Sequence, residues 1–413
     1  MNKKTRARKL REVILQSLAM CPEGAEVALS AGVDSTSVLI ALTVMKKKPT
    51  AASFRIRGAH SSDFLTAQET ARQLDVPFRA VELDERRLRA DATALIGSFG
   101  IRKKTAVECV WPFMQLREGF DAPALVTGSC ADGYFGISKK AMIHYRDEVE
   151  KLNDFRGELF ADRSYAQTDT LAEMFYPIPT FVPYRDPALM NLFWDASWDE
   201  LNRPKQKQTI RDAFPELGEL PEVSKGRHTN LQLGDSGIAA AFEDELESPI
   251  KFYNATARAA TRAPVLIIGQ APNQGGDPRK PLTGVAGDRL ANLAGITRWR
   301  YLRRTERKNL LHYWPGKKGK GDAFPATEAK TAAAELAPLL VGRRVLFAGR
   351  AVANSFRQTS KEYCRWFWSP SLRCRHATIP HPSGIVRWWN EEKNREHAAA
   401  FLRDALSDEG EKR

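Results

Sequence analysis

Short apolar runs and segments with helical spacing alternate along the first third of the chain. Strands are predicted at residues 26–29, 51–56, 78–83 and 124–128, which are short segments rich in apolar residues. An opening segment, and the segments between the runs, place apolar residues at helical intervals. Strands that alternate with helices are typical of a parallel sheet covered by helices on its faces. The pattern resumes late in the chain, where 265–269 and 345–349 predict further strands.

The length of the chain changes this picture from one domain to two. At 413 residues it is too long for a single core of ordinary size. We predict an α/β protein of two domains, each a mainly parallel sheet flanked by helices. The first domain is predicted at 1–250 and the second at 263–413, with a polar, basic linker at 251–262.

Charge distinguishes the two predicted halves. The chain carries a formal net charge of +13, with 43% hydrophobic and 27% charged residues. Residues 251–413 hold 30 lysines and arginines against 14 aspartates and glutamates, whereas residues 1–250 hold 33 against 36. An excess of positive charge confined to one half is typical of a domain that binds a polyanion. We expect the second domain to bind DNA, a merely soluble basic surface being the alternative.

Other features bear on the compartment. No stretch approaches about 18 uninterrupted apolar residues, and the basic N-terminus is followed by no apolar run of signal-peptide length. We therefore expect a cytoplasmic protein without membrane association. The odd number and wide spacing of the cysteines predict structural thiols and no disulfide framework. The cysteines are Cys21, Cys109, Cys130, Cys364 and Cys374.

Residues 29–36 form a small-residue loop between a predicted strand and a predicted helix. Gly32 lets the backbone approach an anion closely, and Ser30 and Ser35 supply hydroxyl donors. Asp34 would repel a phosphate unless a divalent cation lay between them, which indicates magnesium. The alternative interpretation is an ordinary glycine turn with an Asp/Ser helix cap.

The loop resembles the S-G-G-x-D-S motif of PP-loop ATPases, with Ala31 in place of the first glycine. Further segments resemble the synthase domain of asparagine synthetase in the same order along the chain. These segments are 60–63, 127–136, 182–186, 207–211 and 220–227. The resemblance covers about residues 25–235.

This resemblance implies that ATP is cleaved between its α and β phosphates to adenylate a carboxylate, which an amine then attacks. It implies ATP and Mg²⁺, a small-molecule carboxylate and an amine donor. Contacts to ATP are implied for Ser30, Gly32, Asp34, Ser35, Ser53, Phe54, Gly128 and Arg227. Asp34 and Asp132 are the implied metal ligands. Lys207 and Lys225 would neutralise charge on the reacting phosphate, solvated surface lysines being the alternative.

Three departures from the family pattern affect the second half of that reaction. Asn2 stands where a glutaminase domain needs its cysteine, so we expect no ammonia from glutamine. Pro179 replaces a glutamate of the base machinery, and Gly133 replaces the glutamate after the motif aspartate. We expect the ATP chemistry to be retained and the acceptor step to be changed.

A second set of motifs lies in the basic half. A rigid proline loop can hold a flipped base, and a His-Pro-Ser loop can press on the minor groove. The segments at 269–273, 281–290, 308–311 and 381–384 resemble, in order, the motifs of the uracil-DNA glycosylase superfamily. The implied contacts with DNA or a base are Gly269, Gln270, Pro272, Asn309, Ser383 and Arg387.

The catalytic acid of such a glycosylase has no direct match. Gln270 and Ala271 stand where subfamilies carry a carboxylate. Asn273 would orient water, Asp277 would substitute as the acid, and His381 would stabilise a departing base anion. The domain is therefore interpreted either as an active glycosylase or as a module that holds a base without cutting it.

The combination predicts an ATP-dependent, adenylating enzyme that makes an amide-like bond, with DNA base modification of the phage type as the setting. The first alternative is a repair glycosylase with a regulatory or vestigial ATP domain. The second alternative is a non-catalytic DNA-binding protein.

Overall fold

The computed structural model describes residues 1–101, 103–162, 165–221, 236–262, 264–319, 321–383 and 386–406. The chain forms two compact units. Unit 1 comprises Met1–Leu88 and Glu108–Glu247, and unit 2 comprises Arg89–Val107 and Ser248–Arg413. Each unit contains a sheet with helices, as predicted.

The strands of unit 1 are β1 (Glu26–Ala28), β2 (Thr50–Ile56), β3 (Phe78–Leu83), β4 (Leu125–Thr127) and β5 (Thr180–Phe181). Those of unit 2 are β6 (Val265–Gly269), β7 (Thr305–Asn309), β8 (Lys317–Lys318), β9 (Gly321–Asp322), β10 (Arg344–Ala348), β11 (Phe367–Ser369) and β12 (Cys374–Ile379). Short 3-10 turns occupy Glu85–Arg87, Tyr165–Gln167, Pro183–Arg185, Pro215–Gly218, Ala337–Leu340 and Arg387–Asn390.

The helices before the second sheet are α1 (Lys3–Ser17), α2 (Val33–Val44), α3 (Ser62–Gln73), α4 (Leu88–Phe99), α5 (Lys104–Arg117), α6 (Ala131–Phe135), α7 (Lys139–His144), α8 (Val149–Ala161), α9 (Thr168–Phe175), α10 (Ala188–Phe193), α11 (Trp198–Asn202), α12 (Gln208–Ala213), α13 (Ile238–Leu246) and α14 (Pro249–Arg262). The helices that follow are α15 (Val285–Leu293), α16 (Arg298–Arg304), α17 (Ala326–Leu336), α18 (Arg350–Ser355) and α19 (Glu392–Ala405). The expected linker at 251–262 lies within α14.

The sheet of unit 1 is wholly parallel, with strand order β3-β2-β1-β4-β5. The chain first moves outward from β1 to β3 and then crosses back to β4 on the other side of β1. The carboxyl ends of β1 and β4 therefore flank the point where the strand order reverses. In open α/β sheets this position is the usual ligand site.

Burial explains why β1 and α2 form. Val27 is fully buried in β1, and α2 buries apolar residues from Val38 to Leu42 against the sheet. A parallel sheet covered on both faces needs such continuous apolar runs rather than alternation. The buried helix face holds the loop that precedes α2 at the edge of the sheet.

The second sheet has the order β11-β12-β10-β6-β7. Its pairs are parallel except β11 with β12, which is antiparallel. The order reverses between β6 and β10, and all four parallel strands end at one edge. The sheet is mainly parallel, as the apolar runs at 265–269 and 345–349 predict.

Helix α4 belongs to unit 2, although it follows β3 of unit 1 in the chain. A Cβ on Gly97 would lie 2.0 Å from the Gly342 carbonyl oxygen, so the two backbones approach closely. The Ser98 hydroxyl donates to the Arg343 carbonyl at 3.2 Å, and Arg373 pairs with the buried Asp91 at 3.4 Å. The predicted first domain includes this helix, whereas its contacts group it with residues 248–413.

All five cysteines are free thiols, as the sequence predicts. Burial raises the pKa of Cys21 to about 11 and that of Cys364 to about 12, so these thiols stay protonated near neutral pH. Within the described ranges, no helix combines the length and apolar character that crossing a membrane requires.

Candidate functional site

The loop between β1 and α2 is closed by two serine side chains. The Ser30 backbone N–H donates to Ser35 Oγ at 3.0 Å, and the two hydroxyl oxygens are also 3.0 Å apart. The Gly32 N–H donates to Ser30 Oγ at 3.2 Å. These bonds fold the backbone into a tight turn ahead of the N-terminus of α2, where N–H groups and the helix dipole favour an anion.

Gly128 brings the loop after β4 against this turn. A Cβ on Gly128 would lie 2.5 Å from the Ser35 nitrogen and 2.7 Å from the Asp34 carbonyl carbon. Backbone atoms cannot give way as the end of a flexible side chain can. A glycine is therefore required here for the two strand-end loops to meet.

Lys207 lies at the centre of this site. Its Nζ is 2.5 Å from Asp34 Oδ2 and 2.5 Å from Asp132 Oδ1, and its side chain is 5% exposed. Burial works to lower the pKa of Lys207, but the two carboxylates outweigh it, and the pKa lies above its usual value. The lysine therefore stays charged and holds two aspartates from different strand ends together.

Local structure explains how a lysine reaches this buried position. Lys207 precedes α12 with a left-handed φ of 58°, and its N–H donates to Asn202 Oδ1 at 2.9 Å. Asn202 Nδ2 in turn donates to the Phe135 carbonyl at 2.9 Å. Because Phe135 belongs to the short helix that begins beside Asp132, one hydrogen-bonded chain ties the lysine to the carboxylate it pairs with.

The donor set of this site fits a magnesium ion. Mg²⁺ in nucleotide sites is held by one or two carboxylates, with substrate phosphates and water completing the shell. Asp34 and Asp132 both reach one point, where the Lys207 ammonium lies. No cluster of three or more His, Cys, Asp or Glu side chains suited to a metal occurs among the described residues. Asp34 and Asp132 are thus the two carboxylates of this site that would hold a divalent cation, and the expected magnesium stays a prediction.

Ser53 and Phe54 lie beyond the end of β1. The last β1–β2 pair joins Ala28 and Ala52, and the Leu29 N–H donates to the Ala52 carbonyl at 2.8 Å. Alternate residues of a strand form their backbone hydrogen bonds on the same side. Because Ala52 bonds to β1, the backbone of Phe54 points to the same side of β2, at a level beyond the last residue of β1. Both side chains are buried. The contacts with ATP implied for these two residues stay a prediction.

The structure thus brings together seven residues that the sequence singled out in unit 1. They are Ser30, Gly32, Asp34, Ser35, Gly128, Asp132 and Lys207. The predicted residues Lys225 and Arg227 lie outside the described residues. At the departure Gly133, a Cβ would lie 2.8 Å from the Tyr165 hydroxyl oxygen and 2.8 Å from Leu159 Cδ2, so these side-chain ends would have to move to admit a glutamate.

Sequence reasoning missed one contact of the loop helix. The Tyr184 hydroxyl and Ser37 Oγ of α2 are 2.7 Å apart in a fully buried setting. The contact fixes the segment after β5 against the helix that carries Asp34. Tyr184 lies within the 182–186 segment that the sequence singled out, but no role was assigned to this residue.

A second cluster of predicted residues lies at the strand ends of unit 2. Gly269 ends β6 and pairs in register with Asn309 at the end of β7. A Cβ on Gly269 would lie 2.6 Å from Asn309 Oδ1, so the absence of a side chain makes room for that amide. Gln270 Nε2 donates to the Ala323 carbonyl at 3.2 Å, which fixes the next side chain.

His381 follows β12, which β10 separates from β6. Its Nδ1 accepts from the Ser383 N–H at 3.2 Å and lies 2.8 Å from Ser383 Oγ. Burial lowers its pKa, opposed by the charge of Asp322. Because Nδ1 accepts, the ring is neutral with its proton on Nε2, which makes Nε2–H the available donor.

The remaining predicted residues of unit 2 differ in their surroundings. Pro272 is buried, whereas Asn273 and Arg387 are exposed. Asp277 accepts from the Arg279 N–H at 2.9 Å and pairs with the side chains of Arg279 and Lys280, which lowers its pKa. These contacts bind Asp277 into its own turn, and its role as an acid stays a prediction.

Gly349 and Trp389 support His381 but were not assigned to the site from sequence. A Cβ on Gly349 would lie 3.5 Å from His381 Cβ, and Trp389 Nε1 donates to the His381 carbonyl at 3.0 Å. Gly349 follows β10. Residues at or just after the carboxyl ends of β6, β7, β10 and β12 therefore all lie at the same edge of the sheet. Trp389 is buried and packs in the core of this unit.

No protein-family model matches the chain, and no curated protein sequence is significantly similar to it.

Proposed function

We propose that the chain is an ATP-dependent, adenylating enzyme of the PP-loop, asparagine synthetase-like type. The cluster of Asp34, Asp132 and Lys207 carries the proposal. It places one buried cation and two carboxylates beside a tight serine-glycine loop at the reversal point of a parallel sheet. A loop of this shape suits a pyrophosphate, and the charges suit a metal–phosphate pair.

The proposed reaction proceeds in two steps. A carboxylate oxygen attacks the α-phosphorus of ATP, a C–O–P link forms, and the bond to the β-phosphate breaks, which releases pyrophosphate. An amine nitrogen then attacks the acyl carbon and loses a proton, and AMP leaves with the electron pair of the broken C–O bond. Mg²⁺ bound by Asp34 and Asp132 would shield the phosphate charges.

In this proposal the residues of the chain bind and orient ATP. The loop N–H groups and the Ser30 and Ser35 hydroxyls would hold the leaving pyrophosphate. Lys207 would offset the negative charge that gathers on the α-phosphate, because a fixed cation away from water stabilises such a transition state strongly. The raised pKa of Lys207 supports this role, since the cation persists throughout the physiological range.

We further propose that unit 2 binds DNA and holds a base at its strand-end cluster. Asn309 offers an amide and His381 offers an Nε2–H donor, which suits the hydrogen-bonding edge of a base. The net positive charge of residues 251–413 supports attraction to phosphate backbones. On this proposal, the carboxylate or the amine that reacts belongs to the DNA or is joined to it.

The test measures AMP and pyrophosphate release from labelled ATP with magnesium, with and without DNA. We expect α–β cleavage that increases with DNA and is lost in Asp34→Asn. Asp121→Asn, which changes an exposed aspartate of the same unit, is the matched control and should retain cleavage. A chain that forms no AMP under any condition, yet releases uracil from DNA, would instead be a glycosylase. Equal cleavage by wild type and Asp34→Asn would remove the proposed site.

A further inference from the structure

Helix α16 of unit 2 is a basic helix with an outward-facing tryptophan. Residues 298–304 include four arginines and no acidic residue. Trp299 is 64% exposed, and Arg300 and Arg303 are exposed as well. A single exposed hydrophobic side chain needs no explanation by itself. The surroundings of Trp299 therefore decide whether this surface suits a partner.

The inner side of α16 is fixed to the segment that precedes α15. The buried Tyr301 donates its hydroxyl to the Leu282 carbonyl at 3.3 Å, and Arg298 Nη2 donates to the Thr283 carbonyl at 2.5 Å. A Cβ on Gly287 would lie 2.0 Å from the Leu282 carbonyl oxygen and 3.2 Å from Tyr301 Cε1, so α15 approaches this junction closely. The helix is therefore a supported element, and its exposed side chains project from a fixed base.

An arginine covers one face of the Trp299 ring. Arg303 Cζ lies over the ring, 5.3 Å from its centroid. The two residues are one helical turn apart, a spacing that brings side chains together on a helix surface. The attraction between a guanidinium and an indole favours this arrangement. With Arg303 on one side, the opposite face of the exposed ring is the place where a planar group can stack.

The positive charges beside the ring lack acidic partners. The Arg300 side chain forms no hydrogen bond or ion pair with any residue that the structure describes. Asp288, the acidic residue of α15, is occupied by Arg298 at 3.3 Å. Arg300 and Arg303 therefore remain available to the phosphates of a polyanion.

The surface of α16 is continuous with the strand-end cluster of unit 2. A Cβ on Gly269 would lie 3.4 Å from the side chain of Leu282, whose carbonyl accepts from Tyr301. The same residue thus borders the end of β6, where the Asn309 amide lies, and α16. A chain of nucleotides that left the cluster over this segment would reach α16 directly.

An open indole face distinguishes among the partners of a basic surface. The bases of a duplex are stacked on one another, whereas the bases of a single strand offer their faces to aromatic side chains. Stacking on such rings, with basic residues along the backbone, is how single strands are commonly bound. A helix that lies on a membrane instead needs an apolar face along its length. The outer side of α16 presents one ring among arginines, which favours single-stranded nucleic acid.

We propose that Trp299, Arg300 and Arg303 form a platform for single-stranded DNA. A base that neighbours the one held at the strand-end cluster stacks on Trp299, and Arg300 contacts a phosphate. The platform rests on the proposed function, because it takes the binding of DNA by unit 2 as given. It adds the form of the substrate, which is DNA with its strands separated around the held base rather than an intact duplex.

The first experiment measures fluorescence anisotropy of a labelled thymidine oligonucleotide of about 16 residues with the full chain. We expect this oligonucleotide to bind more tightly than a duplex of the same length. Trp299→Ala should weaken single-strand binding at least roughly fivefold, because stacking contributes that much or more for each base. Trp299→Phe keeps a ring and should retain most of the affinity. Trp194→Ala, at a tryptophan of unit 1 that is 44% exposed, is the matched control and should bind as wild type does.

The dependence of affinity on salt separates the two kinds of contact. Each phosphate neutralised on a single strand adds about 0.7 to the magnitude of the slope of log affinity against log salt concentration. Arg300→Ala should lower the magnitude by about that amount, and Arg300→Lys should restore it. Trp299→Ala should weaken binding without changing the slope, because the ring neutralises no phosphate. Lys330→Ala removes an exposed charge of α17, which packs on the other face of the sheet, and should leave the slope unchanged.

The outcomes decide the platform and the proposed function separately. Binding that depends on Asn309 and not on Trp299 would remove the platform and retain DNA binding at the cluster. Binding that depends on Trp299 in a chain that cleaves no ATP would retain the platform and remove the adenylating function.

Three further results would overturn the platform. One is equal salt slopes for Arg300→Ala and Lys330→Ala, which would indicate general attraction to the unit. Another is the absence of binding to any DNA, which would also remove the DNA-binding part of the proposed function. The third is binding to vesicles of phosphatidylglycerol and phosphatidylcholine that Trp299→Ala abolishes while DNA binding is unchanged, since the surface would then bind a membrane.

Discussion

The two units place their candidate sites at the same topological position but build them from opposite chemistry. In unit 1 a buried lysine joins two aspartates, so the site is a cluster of full charges. In unit 2 the strand ends present Asn309 and a neutral His381, with Gly269 leaving room for the amide. The reversal of strand order creates the place, and the side chains decide what it can bind.

This difference has a physical consequence. Fixed charges of both signs favour a phosphate with its counter-ion, whereas uncharged donors and acceptors favour a base edge. The difference also predicts which kind of change should destabilise each unit. Unit 1 should respond mainly to loss of charge pairing, and unit 2 mainly to protonation of the histidines on and after β12.

The largest expected effect is that of Lys207→Met. The change leaves two aspartates facing each other without their buried cation, and breaking a buried pair in this way costs about 3–5 kcal/mol. Urea unfolding should show that loss in the free energy of unfolding. Lys205→Met, two residues earlier and exposed, should change it little. Equal stability of the two variants would show that the cluster does not hold the site together.

Magnesium should separate Lys207→Met from wild type as well. Without the ammonium, Asp34 and Asp132 offer a divalent cation an uncontested place. We expect Mg²⁺ to raise the Tm of Lys207→Met more than that of wild type. The double variant Lys207→Met/Asp34→Asn should lose the additional rise. A rise of the same size in all three chains would contradict a metal site at these carboxylates.

The second effect tests the acid sensitivity of unit 2. Burial lowers the pKa of His376 on β12 from an ordinary 6.5 to about 4. Because the pKa of His376 is lower in the folded chain than in the unfolded chain, binding of a proton favours unfolding. The free energy of unfolding therefore keeps its full value above about pH 6.5 and decreases as pH falls from about 6.5 toward 4. The linked free energy is on the order of 3 kcal/mol. In His376→Phe, the unfolding free energy should decline less across that window. An unchanged decline would assign acid sensitivity elsewhere.

A smaller effect is expected from the close approach at Gly128. In Gly128→Ala the new Cβ would meet backbone atoms of Ser35 and Asp34 at 2.5 and 2.7 Å, so the loop must shift. Overpacking of this kind costs about 1–3 kcal/mol, and AMP formation should fall with it. Gly157→Ala is the matched control, since its Cβ would have nothing within 4 Å. Similar behaviour of the two variants would mean that the loop tolerates a wider turn.

The strands were the most predictable part of the fold. The strand expected at 78–83 has the bounds of β3, although this edge strand carries Arg79 and Glu82 and is only partly buried. The strand expected from residue 265 coincides with the start of β6, which is buried throughout because a central parallel strand needs continuous apolar residues. The grouping of α4 with unit 2 was not predictable. It depends on the close approach of Gly97 to Gly342, and nothing local in the sequence records a partner so distant in the chain.

The candidate sites could be predicted from the sequence to different extents. The loop that carries Asp34 has a local pattern, and its hydroxyls bond within that pattern. Lys207 was singled out only through a resemblance, because its burial depends on the distant Asn202 and Asp132. A cleft beyond the end of β5 was not predicted, because its lining residues Thr168 and Arg185 come together only through folding.

The smallest expected effect concerns the bond between Ser383 and His381. Ser383→Ala removes the hydroxyl that lies 2.8 Å from Nδ1 and keeps the backbone N–H at 3.2 Å. A bond to the neutral ring favours that form, so its loss should raise the pKa of His381 toward 6.5 and cost unit 2 about 1 kcal/mol. Histidine NMR titration measures the first effect, and Ser383→Thr, which keeps a hydroxyl, should restore it. If the pKa of His381 is the same in all three chains, burial alone sets its protonation, and the base-reading donor of unit 2 does not depend on this serine.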